Sequence, residues 1–248
     1  MGTTGLGLRF HSIAMAALAR FETDHAAIDT AADLSFAALQ KGGVLHAFGS
    51  GHSAAGAIEL FHRAGGLVPV NGILESFLSP FTSPAKSGKL ERLSGIGAIL
   101  VDTYDVRAGE VLFVFSNSGV NPVPIEIATA AQGKGAKVVA VTSRAHAAAV
   151  PSRHPSGKKL IDVADVVIDN GAREGDASVE YAPGKYAAAV SGMVNAYVVN
   201  RLVAEIAQRY VAKGEEPPVY LSANLPGGDA HNAALEAKYR DRLKGLLR

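Results

Sequence analysis

Two serine-rich loops, each lying between an apolar run and a helical segment, constrain the fold of this chain most strongly. The first loop, Gly49-Ser50-Gly51-His52-Ser53, follows the run Val44–Phe48. The second, Ser116-Asn117-Ser118-Gly119-Val120-Asn121, follows Val111–Phe115, and Pro122 behind it suits a first helical position. Short, continuous apolar runs are typical of strands buried on both faces of a sheet. The chain therefore predicts two strand–loop–helix units of the kind that build parallel sheets.

The remaining elements extend the same alternation. Further apolar runs predict strands at Leu67–Ile73, Lys137–Thr142 and Ala164–Asp169. Residues 75–97 are rich in Ser, Gly and Pro, which predicts an irregular excursion and then the start of a helix. The alternation predicts an α/β fold with helices on both faces of a parallel sheet. Helical spacing of apolar residues predicts helices over about Phe10–Gln40, Ala54–Ala64, Pro122–Gly133, Tyr186–Val211 and Ala233–Leu247.

Composition excludes several classes of protein. Lys and Arg total 24 against 23 Asp and Glu, so the net charge of +1 leaves no basic footprint for nucleic acid. The chain has no cysteine, which excludes disulfides, thiolate metal sites and thiol nucleophiles. No apolar run approaches the length of a membrane span, and the short run Ile13–Ala19 is better interpreted as part of a helix. We expect a cytoplasmic protein without a membrane or nucleic-acid partner.

The two loops predict a phosphate site made of neutral donors. Glycine lets the backbone approach a ligand closely, and Ser and Asn side chains add hydrogen-bond donors. A helix N-terminus behind each loop adds partial positive charge. The histidines show no H-x-x-x-H or H-x-H pairing, so we expect no metal, and no cofactor is implied. The predicted ligands are Gly49, Ser50, Gly51, Ser53, Ser116, Asn117, Ser118, Gly119 and Asn121.

Two other interpretations of the loops stay open. Gly49, Gly51 and Ala54 fit the loose dinucleotide pattern G-x-G-x-x-A, but the second strand lacks the acid expected on the ribose, since none occurs before Glu75. A nucleotide-dependent enzyme is therefore the less favoured alternative. Each loop taken alone could also consist of ordinary caps and turn formers. Two such loops at strand–helix junctions favour a ligand site.

Several motifs resemble a known family. VLHAFGSGHS and VLFVFSNSGVNPVPIE resemble the sugar isomerase (SIS) domain family of phosphosugar-binding proteins. RAGG, SRHPSGKKL, ADVVIDN and SANLPGGDAHN resemble a single-domain bacterial SIS subgroup, long uncharacterised, close to phosphoheptose isomerases and including an N-acetylglucosamine-6-phosphate dehydratase. The resemblance spans nearly the whole chain. It implies one domain over residues 1–248 with helical extensions at both ends, a three-layer αβα sandwich around a five-stranded parallel sheet, and homodimers or homotetramers with active sites near subunit interfaces.

The resemblance also implies a reaction. Aldose–ketose isomerisation and dehydration of a sugar or amino-sugar phosphate both begin with proton abstraction beside a carbonyl. Glu59 is the first candidate for the base, because SIS isomerases place a catalytic glutamate on the helix behind the first loop. The alternative is a surface ion pair of Glu59 with Arg63, four residues further along the helix. Arg63 is itself a possible site residue.

Other candidates complete the predicted site. His52, inside the first loop, could bind the substrate or assist ring opening. His231 stands where related isomerases use a late histidine as acid–base partner, in its own subunit or across an interface; the alternative is a helix-capping cluster. Lys185 could supply a phosphate cation where the subgroup usually has Ser or Thr, and Glu180 is a further possibility. A non-catalytic phosphosugar sensor, which keeps the loops without the acid–base pair, is the alternative function.

Overall fold

A five-stranded parallel sheet forms the centre of the structure, a computed structural model that describes residues 5–244. The strand order is β2-β1-β3-β4-β5. Helices cover both faces, so the predicted αβα architecture is confirmed. The strands are β1 (Leu45–Gly49), β2 (Val70–Ile73), β3 (Val111–Phe115), β4 (Lys137–Thr142) and β5 (Val166–Asp169), and a separate antiparallel hairpin contains β6 (Ala177–Ala182) and β7 (Lys185–Ala189).

Both faces of the sheet are buried, which explains the continuous apolar runs. Along β3, Phe113 and Phe115 pack into one helix layer, whereas Leu112 and Val114 pack into the other. Within residues 5–244, no helix combines the length and the apolarity needed to cross a membrane. The helices are α1 (Leu6–Ala19), α2 (Ala26–Gln40), α3 (Ala54–Leu60), α4 (Pro84–Leu90), α5 (Ile96–Thr103), α6 (Pro122–Gly133), α7 (Arg144–Ala149), α8 (Leu160–Val163), α9 (Ser191–Ala212) and α10 (Gly228–Tyr239).

The strand order reverses between β1 and β3. The chain runs from β1 to β2 on one side and then crosses to β3 on the other side of β1. Connections leaving such a pair of strands diverge, so a crevice opens at the carboxyl edge of the sheet between them. Gly49 at the end of β1 is in register with Phe115 at the end of β3. The two serine loops therefore leave the sheet side by side at this crevice.

Two predicted helices are shorter than expected. The pattern over Phe10–Gln40 forms α1 and α2, separated by a 3₁₀ turn at Arg20–Glu22. The helix predicted over Ala54–Ala64 ends at Leu60, because Phe61 is extended and His62 has a φ of 43°, which lies outside the right-handed helical region.

The prediction was also wrong at the start of the long helix. Residues 185–189 form β7, and the helix begins at Ser191. The turn at Pro183-Gly184, with Gly184 at a φ of 70°, reverses the chain into the hairpin. Arg173 stacks on the ring of Tyr186, 3.7 Å from its centroid, which ties the hairpin to the loop before it. The last predicted helix begins earlier, at Gly228, and ends at Tyr239; residues 245–247 of that prediction lie outside the described residues.

Candidate functional site

Both serine loops open onto one cavity at the carboxyl edge of the sheet. Its volume is about 700 Å³, a size typical of sites for small molecules. The structure thus brings together most of the residues predicted from the two loops. Those that line the cavity are Ser50, Gly51, His52 and Ser53 from the first loop and Ser116, Asn117, Ser118 and Asn121 from the second.

Three side chains of the loops are available to a ligand. Within residues 5–244, the hydroxyls of Ser53 and Ser118 and the imidazole of His52 form no hydrogen bond with another protein group. The backbone N–H of Ser118 also donates to no group of the described chain. These groups are neutral or weakly basic donors, so the arrangement suits an anion that accepts several hydrogen bonds.

Other predicted ligands shape the second loop instead. The hydroxyl of Ser116 accepts the N–H of Gly119 at 3.2 Å, and the amide oxygen of Asn117 accepts the side chain of Asn170 at 3.0 Å. Gly119 has a φ of 62°, and a Cβ there would lie 3.0 Å from Cβ of Leu160. Ser116 and Asn117 therefore line the cavity and also stabilise the conformation of the second loop. Gly119 does not line the cavity, but its positive φ allows the turn that this loop makes.

Gly49 likewise works through the backbone of the first loop. A Cβ on Gly49 would lie 2.4 Å from the carbonyl oxygen of Ser53, so only glycine allows the loop to fold back so closely. Gly49 lines a smaller cavity of about 210 Å³, together with Ile58 and Phe81, rather than the larger one.

A carboxylate that the sequence analysis did not single out lies between the two loops. Glu91, just beyond the end of α4, accepts the hydroxyl of Ser50 at 2.7 Å and the side-chain amide of Asn121 at 2.7 Å, one on each oxygen. The amide oxygen of Asn121 in turn accepts a hydrogen bond from Arg153 at 3.0 Å. Glu91 also lines the large cavity. An oriented, hydrogen-bonded carboxylate in a cavity is a candidate for moving a proton.

The sequence carried one weak signal for Glu91. It lies within residues 75–97, and long irregular connections in compact domains often contribute to function. No local motif distinguishes its carboxylate from other acids of the chain. Its partners Ser50 and Asn121 are 41 and 30 residues away, so only the fold identifies them.

Glu59 lies outside the lining of the large cavity. Its carboxylate forms an ion pair with Arg63 and accepts the side-chain amide of Asn200 at 2.6 Å. The structure therefore contains the ion pair weighed as the alternative for Glu59. A catalytic role for Glu59 or Arg63 stays a prediction.

His231 lies far from the cavity of its own chain. It is on α10, where its Nε2 is 3.1 Å from the carbonyl oxygen of Val219, and it lines a separate pocket near the C-terminal end of α9. The N-terminal end of α9 borders the large cavity, and 22 residues of helix span about 33 Å. A contribution of His231 to catalysis would thus require the cavity of a second subunit, which stays a prediction.

Glu180 and Lys185 lie on the hairpin. Both are exposed, and neither lines the large cavity. Glu180 accepts the N–H of Gly184 at 2.8 Å across the hairpin turn. Within the described chain neither residue contacts the large cavity, so their roles at the site stay predictions.

The wall of the cavity nearest β4 carries two further ionisable groups. His146 on α7 and Asp176 before β6 both line it, beside Ser191, Gly192 and Asn195 of α9. Asp176 accepts both the N–H of Ser191, at 3.1 Å, and its hydroxyl, at 2.5 Å. In the sequence, His146 is an isolated histidine without the spacing of a metal ligand, so no local pattern distinguishes it. Within residues 5–244, no three His, Asp or Glu side chains are grouped so that they could hold a metal ion.

Comparison with known proteins gives consistent results. Residues 9–143 match a family model described as SIS domain. A relative from Geobacillus thermodenitrificans named UPF0309 protein is 41% identical over 217 residues, which cover 85% of each chain. A phosphoheptose isomerase from Francisella tularensis superposes with a TM-score of 0.56 at 17% identity, over 84% of this chain and 100% of its own. The Vibrio vulnificus NanR protein complexed with ManNAc-6P gives 0.51 at 13% identity, over 98% and 72%.

Proposed function

Because this chain belongs to the SIS domain family, we propose that it binds a sugar phosphate between its two serine loops and moves a proton on it. The observation that carries this proposal is the presence, in one cavity, of free neutral donors and an oriented carboxylate. The reaction is isomerisation of an aldose or ketose phosphate, or dehydration of one.

The phosphate is held by the free donors. Ser53 and Ser118 supply hydroxyls, and Ser118 adds its backbone N–H, beside the N-terminus of the 12-residue helix α6. Glu91 repels a dianion, so the phosphate binds away from it and the sugar carbons extend towards it. A volume of about 700 Å³ has room for a six- or seven-carbon sugar phosphate in this orientation.

Glu91 is the candidate base. Each carboxylate oxygen accepts one hydrogen bond, which holds the group in place and leaves further lone pairs for a substrate proton. Removal of the proton from the carbon beside the carbonyl gives an enolate. In isomerisation the abstracted proton is delivered to the former carbonyl carbon, and the hydroxyl proton of the carbon that lost it moves to the enolate oxygen. In dehydration the carbonyl re-forms as the β-hydroxyl gains a proton and leaves as water. Glu59 is the second candidate for the same role.

The substrate class is sugar and amino-sugar phosphates, for example N-acetylglucosamine 6-phosphate. Two structural neighbours support this class: one is a phosphoheptose isomerase, and the other was solved in complex with ManNAc-6P. Within residues 5–244, the side chains that line the large cavity include no Lys or Arg. A lining of this kind suits a ligand that is also recognised through its hydroxyl groups.

A two-step experiment tests the proposal. Hexose, hexosamine, N-acetylhexosamine and heptose phosphates are screened by thermal shift, and each compound that binds is incubated in D₂O and followed by NMR. We expect deuterium to enter beside the carbonyl, and a loss of water from the product would identify dehydration. If no sugar phosphate binds, the proposed function is wrong; binding without exchange would instead select the phosphosugar sensor.

Variants then identify the base. Glu91→Gln should lower the exchange rate by about 10²–10⁴-fold while sugar-phosphate affinity changes little. Glu59→Gln tests the second candidate in parallel, and Glu22→Gln, at an exposed position after α1, is the matched control. An unchanged exchange rate in Glu91→Gln, together with a large loss in Glu59→Gln, would transfer the role to Glu59.

A further inference from the structure

We infer that the Nε2–H group of His146 is the hydrogen-bond donor to the substrate carbonyl oxygen, in the sugar-phosphate chemistry proposed above, on which this assignment rests. His146 is half-buried in the wall of the cavity that Glu91 also lines. When Glu91 takes a proton from the carbon, negative charge develops on the neighbouring carbonyl oxygen. A donor fixed beforehand at that oxygen stabilises the charge.

A backbone amide determines which ring nitrogen of His146 carries the proton. The N–H of Gly175 points at Nδ1 of His146 at 2.8 Å. Because a backbone amide only donates, Nδ1 must accept, and the neutral ring therefore carries its proton on Nε2. Within residues 5–244, Nε2 has no hydrogen-bond partner. The ring thus presents an unpaired N–H donor at the cavity wall.

The surrounding turn is built to hold this amide. Gly175 and Asp176 are both left-handed, with φ of 75° and 66°, a conformation that non-glycine residues rarely adopt. The carboxylate of Asp176 accepts the N–H and the hydroxyl of Ser191, the first residue of the 22-residue helix α9. The strained turn is therefore anchored to the long helix α9. Strained backbone that is held by its surroundings is typical of functional sites.

The backbone of His146 is fixed as well. Its N–H donates to the hydroxyl of Ser143 at 3.0 Å, the N-terminal cap of α7, and that hydroxyl donates to the carbonyl of Ala172 at 2.5 Å. Ring and backbone are thus each held by a hydrogen bond. A donor that does not need to reorganise during the reaction contributes most to lowering the barrier.

An asparagine variant separates this role from a merely structural one. In His146→Asn, the side-chain oxygen can replace Nδ1 as acceptor for Gly175, but nothing replaces Nε2. We expect the deuterium-exchange kcat to fall by about 10²–10³-fold, the loss typical of removing one such donor. The dissociation constant of the sugar phosphate, measured by calorimetry, should stay within about threefold of the parent's, because the phosphate donors are untouched. His11→Asn, exposed on α1, is the matched control.

A second variant and a direct measurement complete the test. His146→Gln retains an N–H donor near the position of Nε2 and should recover part of the lost rate. In ¹⁵N-histidine-labelled parent protein, NMR should show His146 with its proton on Nε2. Exchange by His146→Asn at the parent's rate, or a proton on Nδ1, would overturn the assignment alone. A parent that exchanges no sugar phosphate would overturn the proposed reaction and this assignment with it.

Discussion

The hydroxyl of Ser50 donates a hydrogen bond to Oε2 of Glu91 at 2.7 Å and so joins the first serine loop to a carboxylate 41 residues further along the chain. Asn121 of the second loop holds the other oxygen of Glu91. The two loops that the strand order brings to one edge of the sheet are thereby linked through a single acid. Changes at either loop should therefore affect the acid, and they can be tested separately.

The clearest test of this link is Asn121→Asp. The variant replaces the amide that donates to Glu91 at 2.7 Å by a carboxylate, which has no proton to donate and which Arg153, now a donor to Asn121, can pair with. Glu91 thereby loses one of the two hydrogen bonds that orient it. We expect the deuterium-exchange rate to fall by about tenfold or more, the effect of losing one hydrogen bond to a charged group. Asn224→Asp, at an exposed position, is the control, and an unchanged rate in Asn121→Asp would contradict the role of Glu91.

The two serines of the second loop should behave differently. Ser118 has a free hydroxyl, so Ser118→Ala should weaken phosphate binding by about 10- to 150-fold, the range for a hydrogen bond to a charged group, without changing the melting temperature. Ser116 holds the N–H of Gly119, so Ser116→Ala should also lower the free energy of unfolding by about 1 kcal/mol. Calorimetry with the sugar phosphate found by screening and thermal unfolding measure the two effects. Equal affinity of Ser118→Ala and the parent would place the phosphate elsewhere.

Gly49 offers a test of the shape of the first loop. In Gly49→Ala the new methyl group would lie 2.4 Å from the backbone oxygen of Ser53, so the loop must move. We expect a loss of about 1–3 kcal/mol in the free energy of unfolding and a loss of sugar-phosphate binding. Urea unfolding and calorimetry provide the measurements. In Gly88→Ala on α4, where nothing lies within 4 Å, stability should stay the same or rise by up to about 1 kcal/mol; an equal loss in both variants would refute the explanation.

The sequence predicted the parts of the site that follow directly from strand ends. The strands β3 and β4 have the predicted bounds, because their continuous apolar runs are buried on both faces. Since both loops begin where a strand ends, a parallel sheet places both at its carboxyl edge. The strand order β2-β1-β3, which the sequence did not predict, makes them neighbours. The match of residues 9–143 to the SIS domain confirms the resemblance drawn from the same motifs.

The rest of the site depends on contacts that have no local pattern. Glu91 follows the end of α4 and His146 lies on α7, and their partners Ser50 and Gly175 are 41 and 29 residues away. Glu59 was chosen through the family resemblance, and the structure shows it in an ion pair with Arg63, four residues further along the chain. Its catalytic role stays a prediction. Which acid faces a cavity is decided by tertiary packing, and a single sequence does not contain that information in its spacing.

At the opposite edge of the sheet, Glu110 joins the start of β1 to the C-terminal segment. Its buried carboxylate accepts the N–H of Val44 at 3.0 Å and the guanidinium of Arg242 at 2.7 Å, and it lies 3.0 Å from Nε2 of buried His46. Burial raises the pKa of Glu110, but the hydrogen bond and charge of His46, with the amides of Val44 and Arg107, outweigh it and hold the pKa below its ordinary value of 4.5.

Glu110→Gln should therefore destabilise the fold in a pH-dependent way. At pH 7 we expect a loss of about 1–3 kcal/mol in the free energy of unfolding. The largely buried Arg242 loses its 2.7 Å contact with the Glu110 carboxylate and keeps the longer ion pair with Asp105, at 3.7 Å. An acid with a lowered folded-state pKa adds stability above its unfolded-state pKa and loses it as the pH falls through the folded-state value. The difference between parent and variant should thus be complete at pH 7 and shrink below about pH 4.5. Urea unfolding at pH 7, 5, 4 and 3 measures it, with Glu22→Gln, at an exposed position, as the control. A difference that stays constant down to pH 3 would show that Glu110 stabilises the fold by packing rather than by charge.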